Sequence, residues 1–266
     1  MSDMTTTPLS NPMTGPEIEA TFGDVSVAQT QSAPAASVAD EWRRFGTFLK
    51  RPNLDVSIQN RGAFTVLLRI YALDMAIMAV LIGLASVLVA IGIDIPETAL
   101  ADMEITWQIV LLVVIGAPVM EELAFRGWLS GKPGPFNALL ALAVGASGFI
   151  LTHAAEPALG ALFVVAALIG AGLALVLLRN AGPMGWFARA FPALFWFSTL
   201  AFALVHLANF DEGSLAVLLP LVLPQFVLGM MLGYVRVRFA LWAAIVLHAA
   251  HNATAISIAA LAGQLQ

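Results

Sequence analysis

The stretch MEELAFRGWLSG, residues 120 to 131, sets two carboxylates and a guanidinium directly after the apolar run LLVVIGAPV. Ionisable groups inside a membrane are costly, and they usually face a bundle interior or a wet cavity that serves function. Consecutive helical residues point about 100° apart, so Glu121 and Glu122 address different sectors, while Glu122 and Arg126, four apart, share a face and can pair. Glu121 is then the carboxylate free to face a cavity. The competing interpretation is a structural ion pair near the interface with Arg126 snorkelling. The chain has four histidines, His153, His206, His248 and His251, and all fall within or at the ends of apolar runs. In HAAHN, His248 and Asn252 are four apart and project from one helical face; in FALVH, Phe202 and His206 do the same.

These residue types suit hydrolysis of a peptide bond. Water attacking a carbonyl needs a base, a donor set for the developing oxyanion and a proton for the leaving amine. A desolvated Glu121 assisted by a histidine can supply the base, and an Asn amide with a histidine can supply the donors. Alternatively, Glu121, His206 and His248 could hold a zinc ion, as two-His-one-Glu sites do. The residues alone leave both open. At about 1.5 Å per helical residue, Glu121, His206 and His248 each lie roughly 13 to 15 Å from their basic or aromatic helix ends, on one level, whereas His153 lies roughly 25 Å from Phe136, beside Glu156.

The elements that must position these groups are membrane helices. Of 266 residues, 60% are hydrophobic and 11% charged, with a mean hydropathy of +0.89, far from the composition of a soluble domain. The fold expected is an all-α polytopic bundle of about seven spans, at 65–93, 106–130, 136–154, 157–179, 191–210, 214–236 and 239–262. Basic and acidic ends alternate between them, Arg61 and Arg69, Lys132, Arg179 and Arg189, and Arg236 and Arg238 against Asp94 and Glu97, Glu156, and Asp211 and Glu212. The positive-inside rule then puts the N-terminus in the cytoplasm. Residues 1–40 hold no Lys or Arg and read as a disordered acidic tail rather than a signal peptide. Residues 41–62 open with EWRRFGTFLKRPN, a basic amphipathic segment suited to an anionic membrane surface, and 63–266 form the transmembrane unit. With zero cysteines, disulfides and thiol chemistry drop out. The short basic cluster beside membrane spans argues against a nucleic-acid partner.

The ordered set EELAFR, FALVH and HAAHN resembles the three motifs of the CPBP family, the CAAX proteases and bacteriocin-processing enzymes, which read EExxxR, FxxxH and HxxxN on neighbouring membrane helices. GMMLGYVRVRFALWAAIVLHAAHNA likewise resembles the family's glycine-rich helix, basic turn and last motif helix. The resemblance spans about residues 106 to 255. It implies an intramembrane endopeptidase in which Glu121 activates water with His206 as partner, His248 and Asn252 hold the oxyanion, and Glu122 and Arg126 support the site. It implies membrane lipid and a peptide or protein substrate as partners, and it covers both metal-independent and zinc-dependent readings. The family usually sets FxxxH about 30 residues after the glutamates. Here Glu121 and His206 are 85 apart, two extra spans intervene, and FILTH supplies a rival, His153, at the usual spacing. The surroundings of FALVHLANF and its depth favour His206.

GASG at 145–148 matches the motif around a rhomboid nucleophile, but small residues also let helices pack closely. Pro118, Pro220 and Pro224 are candidate kinks. The reading of a different class is a non-enzymatic membrane protein, a transporter or immunity factor, since broken helices and buried charge also serve transport. The Ala-rich composition favours a bacterial inner membrane.

Overall fold

The computed structural model describes residues 35–54, 62–98 and 104–263. Residues 1–34 of the acidic tail expected over 1–40, and residues 55–61 of the juxtamembrane segment, lie outside the described residues, while the end of that tail, from Val38, already belongs to the first helix.

The chain is a helical bundle, with no strand among the described residues. In chain order the helices are α1 (Val38–Lys50), α2 (Ala63–Ala90), α3 (Trp107–Leu111), α4 (Ala117–Arg126), α5 (Pro133–Thr152), α6 (Pro157–Leu177), α7 (Gly185–Val205), α8 (Leu215–Leu221), α9 (Leu223–Phe239) and α10 (Leu241–Gly263). A π-helical stretch, Leu112–Gly116, joins α3 to α4, and 3-10 turns follow α4 and α7. Six segments are long and apolar enough to cross a membrane, with a seventh if α8 and α9 form one span bent by 42°. The protein is an integral membrane protein of about the expected number of spans. The bend falls at Val222, between Pro220 and Pro224, where missing amide protons break the helical ladder.

Helix α1 starts at Val38. Ser37 caps it, its Oγ accepting from the Asp40 amide at 3.1 Å, and Asp40 and Glu41 complement the dipole of the first turn. The apolar face of α1 is buried against protein, whereas the sequence suggested a membrane surface as its partner. Phe45 packs on Tyr234 at 5.2 Å between centroids and Phe48 on Phe195 at 5.3 Å. Trp42 Nε1 donates to the Arg69 carbonyl at 2.8 Å, which fastens α1 to α2.

Helix α9 is the hub. From Leu228 to Phe239 nearly every residue is buried, and α9 packs against α2, α7 and α10. Its glycines make the close approaches. A Cβ on Gly233 would sit 2.6 Å from Phe195 Cε2, and one on Gly229 would sit 3.2 Å from both Arg126 Nη2 and Phe202 Cδ1.

Helices α5 and α6 form a hairpin packed chiefly on itself. Cβ atoms on Gly145 and Gly148 would collide with Ala167 and Phe163, so the GASG stretch serves close helix packing, and Ser147 is exposed. At one end the hairpin is tied to the bundle by edge-on rings: Phe136 meets Trp128 at 6.5 Å, Trp186 at 5.7 Å and Phe187 at 6.2 Å.

Candidate active site

The site is built where α4, the end of α7 and α10 converge, and its first ingredient is a defect in a helix. Over Leu112–Gly116 the ladder widens, and the Ala117 amide donates to Leu112 rather than to Val113. In that register Val113 would receive the amide of residue 118, but Pro118 has none. Asn252 fills the vacancy: its Nδ2 donates to the Val113 carbonyl at 2.8 Å. One amide proton of Asn252 therefore anchors α10 to the π turn, and the second is left for another acceptor.

One turn further, Glu122 and Arg126 pair as their spacing predicts. Arg126 Nη1 donates to Glu122 Oε1 at 2.8 Å, and both side chains are fully buried. His248 Nδ1 lies 2.9 Å from the same oxygen, so Glu122 also fixes the tilt of this imidazole. The Arg126 guanidinium rests 3.9 Å from the centre of the Phe202 ring, a cation–π contact of about 2 kcal/mol in a desolvated setting. Its Nη2 reaches the Gly229 carbonyl at 3.4 Å. The first residue of FALVH is thus the platform for the last residue of EELAFR. Arg236 completes the frame: its Nε donates to the Arg126 carbonyl at 2.9 Å and its Nη2 to that of Gly127 at 3.3 Å. These are orphan acceptors at the end of α4, where a cation is favoured.

Glu121 points the other way, as its angular offset requires. His206 Nε2 and His248 Nε2 each lie 3.8 Å from Glu121 Oε2, and that oxygen is buried with no hydrogen-bond partner among the described residues. His206 ends α7, and its Nδ1 lies 2.7 Å from the Phe202 carbonyl. With the proton on Nδ1, Nε2 presents a lone pair towards Glu121. The gaps of 3.8 Å exceed a hydrogen bond and suit a small group held between.

Glu121, Glu122, Arg126, His206, His248 and Asn252 are therefore all in or beside one cluster. His153 is not: it is exposed, stacks on Phe149 at 4.5 Å and turns its Nδ1 to the Phe149 carbonyl at 3.0 Å. Glu121, His206 and His248, the trio named for zinc, stand with both Nε2 atoms 3.8 Å from Glu121 Oε2, wider than ligands closed on one ion, and among the described residues no set of three His, Asp or Glu side chains is closed on such a site.

The family model for type II CAAX prenyl endopeptidase Rce1-like proteins matches residues 103–185 and 182–254. The chain belongs to this family. Membership places it among intramembrane endopeptidases, and the match covers the helices that carry Glu121, His206, His248 and Asn252. No curated protein and no solved structure matches the chain.

Arg236, which the sequence marks only as a sign of topology, braces the end of the helix that carries the cluster. Glu41 is another residue whose role the sequence hid. Buried beneath α1, it accepts from the Ala35 amide at 3.1 Å, from the Tyr234 hydroxyl at 2.9 Å and from Arg238. It holds the N-terminal helix on the same α9 that carries Arg236. The only signal was an acid among the basic residues of an amphipathic helix.

Proposed function

We propose that the protein cleaves peptide bonds of membrane-associated or C-terminal peptide substrates with water activated by Glu121 and His206. The observation that carries this reading is that two imidazole nitrogens stand at equal distance, 3.8 Å, from one unpartnered oxygen of Glu121. A water between Glu121 Oε2 and His206 Nε2 loses a proton to the carboxylate as its oxygen attacks the carbonyl carbon. The carbonyl electrons move onto oxygen, and the oxyanion is met by His248 Nε2–H and the second amide proton of Asn252. For that role His248 carries both protons, and two cations, Arg126 and His248, then balance two carboxylates, Glu121 and Glu122. When the tetrahedral centre collapses the C–N bond breaks, and Glu121 returns its proton to the leaving amine.

The basic helix ends around Lys132, Arg236 and Arg238 favour a cytoplasmic N-terminus and a site opening to that side. A bacterial inner membrane is the setting that the composition favours.

The test compares protein termini in cells expressing wild type, Glu121→Gln, His206→Ala and His153→Ala at equal abundance. New termini that vanish with Glu121→Gln and His206→Ala but persist with His153→Ala are expected. Loss on His153→Ala instead would move the second motif to the hairpin, and identical termini in all strains would favour a non-enzymatic protein.

A further inference from the structure

A second polar cluster stands on the neighbouring face of α10, away from the proposed catalytic groups. Asp74, midway along α2, is fully buried. Its Oδ2 lies 2.7 Å from His251 Nδ1, and its Oδ1 has no partner among the described residues. One turn on, Thr254 donates to the Ala250 carbonyl at 3.0 Å and meets the Tyr71 hydroxyl at 2.5 Å. The hydrogen-bonding capacity of Tyr71 and Thr254 is thus largely spent. That of His251 is not: with the proton on Nδ1 shared with Asp74, Nε2 is an acceptor whose lone pair no described residue uses.

His251 and Thr254 line a cavity of about 350 Å³ between α2, the α8–α9 break and α10. The rest of its wall is apolar, with Met75, Met78 and Leu88 on α2, Pro220 and Pro224 at the break and Ile258 on α10. The paired prolines open this space by bending one wall away. The volume is at the small end of the range for ligand pockets, roughly 300–1,000 Å³, which suits one chain rather than a two-chain lipid. Its walls are surfaces of membrane-spanning helices, so it fills from the bilayer. An unpaired acceptor in such a place is costly until a donor meets it.

We infer that this cavity binds a single-chain lipid alcohol, its chain along α2 and its hydroxyl donating to His251 Nε2. Asp74 is a positioning residue that holds the tautomer. The inference stands apart from the peptidase reading, because it is tested by binding alone.

The test uses the full chain in phosphatidylcholine vesicles, photolabelled with hexadecanol carrying a mid-chain diazirine, with labelled peptides read by mass spectrometry. Labelling of residues 75–88 and 254–258 is expected. Unlabelled hexadecanol should compete roughly five- to tenfold better than its methyl ether, which cannot donate. His251→Phe should erase that preference, and Ala255→Trp should fill the space and abolish labelling. Equal competition by alcohol and ether in the wild type would overturn the proposal, as would labelling that survives Ala255→Trp. Stronger competition by hexadecanoic acid would also overturn it, because it would identify a cationic site for carboxylates. The competition series needs only wild-type protein, so a substitution that fails to fold leaves the test intact.

Discussion

His248 hydrogen-bonds at 2.9 Å to Glu122, the glutamate beside the one that its other nitrogen faces. Adjacent carboxylates on α4 thereby take different partners: the inner one sets the orientation of the imidazole, and the outer one faces His206 and His248. Glu122→Gln should leave Arg126 buried without its hydrogen-bonded counter-charge, at a cost of about 3–5 kcal/mol. Pairing it with Arg126→Met should restore most of the stability without restoring cleavage, because a Gln oxygen can still accept from His248 Nδ1 but brings no negative charge to balance the cationic His248 that the oxyanion step requires. Thermal unfolding and peptide turnover on the two variants check this. A double variant that regains cleavage would show that Glu122 matters only as a neutraliser of Arg126.

The Val113–Asn252 bond exists because Pro118 cannot donate. Pro118→Ala supplies an amide proton that can satisfy Val113 from within the helix. Asn252→Ala should therefore cost about 1 kcal/mol less stability in the Pro118→Ala background than in the wild type. A double-mutant cycle by thermal unfolding measures that coupling. Pro118→Ala should also slow cleavage while leaving the protein folded, since α10 loses its tether to the π turn.

Gly233 faces a ring rather than a flexible chain, and a Cβ there would lie 2.6 Å from Phe195 Cε2. Gly233→Ala should destabilise the bundle by about 1–3 kcal/mol, as overpacking does, and Phe195→Leu in the same chain should relieve part of that loss. Gly229→Val should weaken cleavage more than stability, because its branched side chain presses on Arg126 and Phe202 together. Activity normalised to folded protein separates the two effects.

The pH dependence of the N-terminal docking has a definite sign. Burial disfavours the charged form of Glu41, but the Ala35 amide, the charge of Arg238 and the Tyr234 hydroxyl together outweigh it and hold the carboxyl below its ordinary 4.5. A depressed carboxyl contributes stability above the unfolded value, and that contribution is lost as pH falls through the folded value. The wild type should therefore melt above Glu41→Gln at neutral pH, and the gap should narrow as pH falls below about 4.5. A gap independent of pH would mean that the variant disturbs packing rather than charge.

What was legible in the sequence follows from range. Glu122 and Arg126 lie on one helix, so spacing alone predicts their pair. The preference for His206 over His153 rests on the surroundings of FALVHLANF and on depth along straight helices, which survives modest tilt, and His206 is the one that lies 3.8 Å from Glu121. Residues whose partners come from far along the chain were opaque. Arg236 reaches a carbonyl 110 positions away, and nothing local distinguishes it from a basic residue at a membrane boundary. The engagement of Asn252 with Val113 depends on a π register that Pro118 permits but does not dictate. Helix α9 reads as one more apolar span, although its second half is enclosed by protein, because hydropathy does not distinguish lipid neighbours from protein neighbours.

The short reach of the Glu122–Arg126 pair also bears on how such a chain is made. His248 follows Glu122 by 126 residues, so at synthesis rates of about 5–20 residues per second it emerges roughly 6–25 s later. During that interval the glutamate must already be entering lipid. Arg126, only one turn behind, travels with it as a neutral unit, whereas Glu121 has no cation on its own helical face. Nascent α4 therefore carries one compensated and one uncompensated carboxylate into the translocation machinery. Glu121, which later faces both His206 and His248, is the carboxylate whose partners lie on helices not yet made.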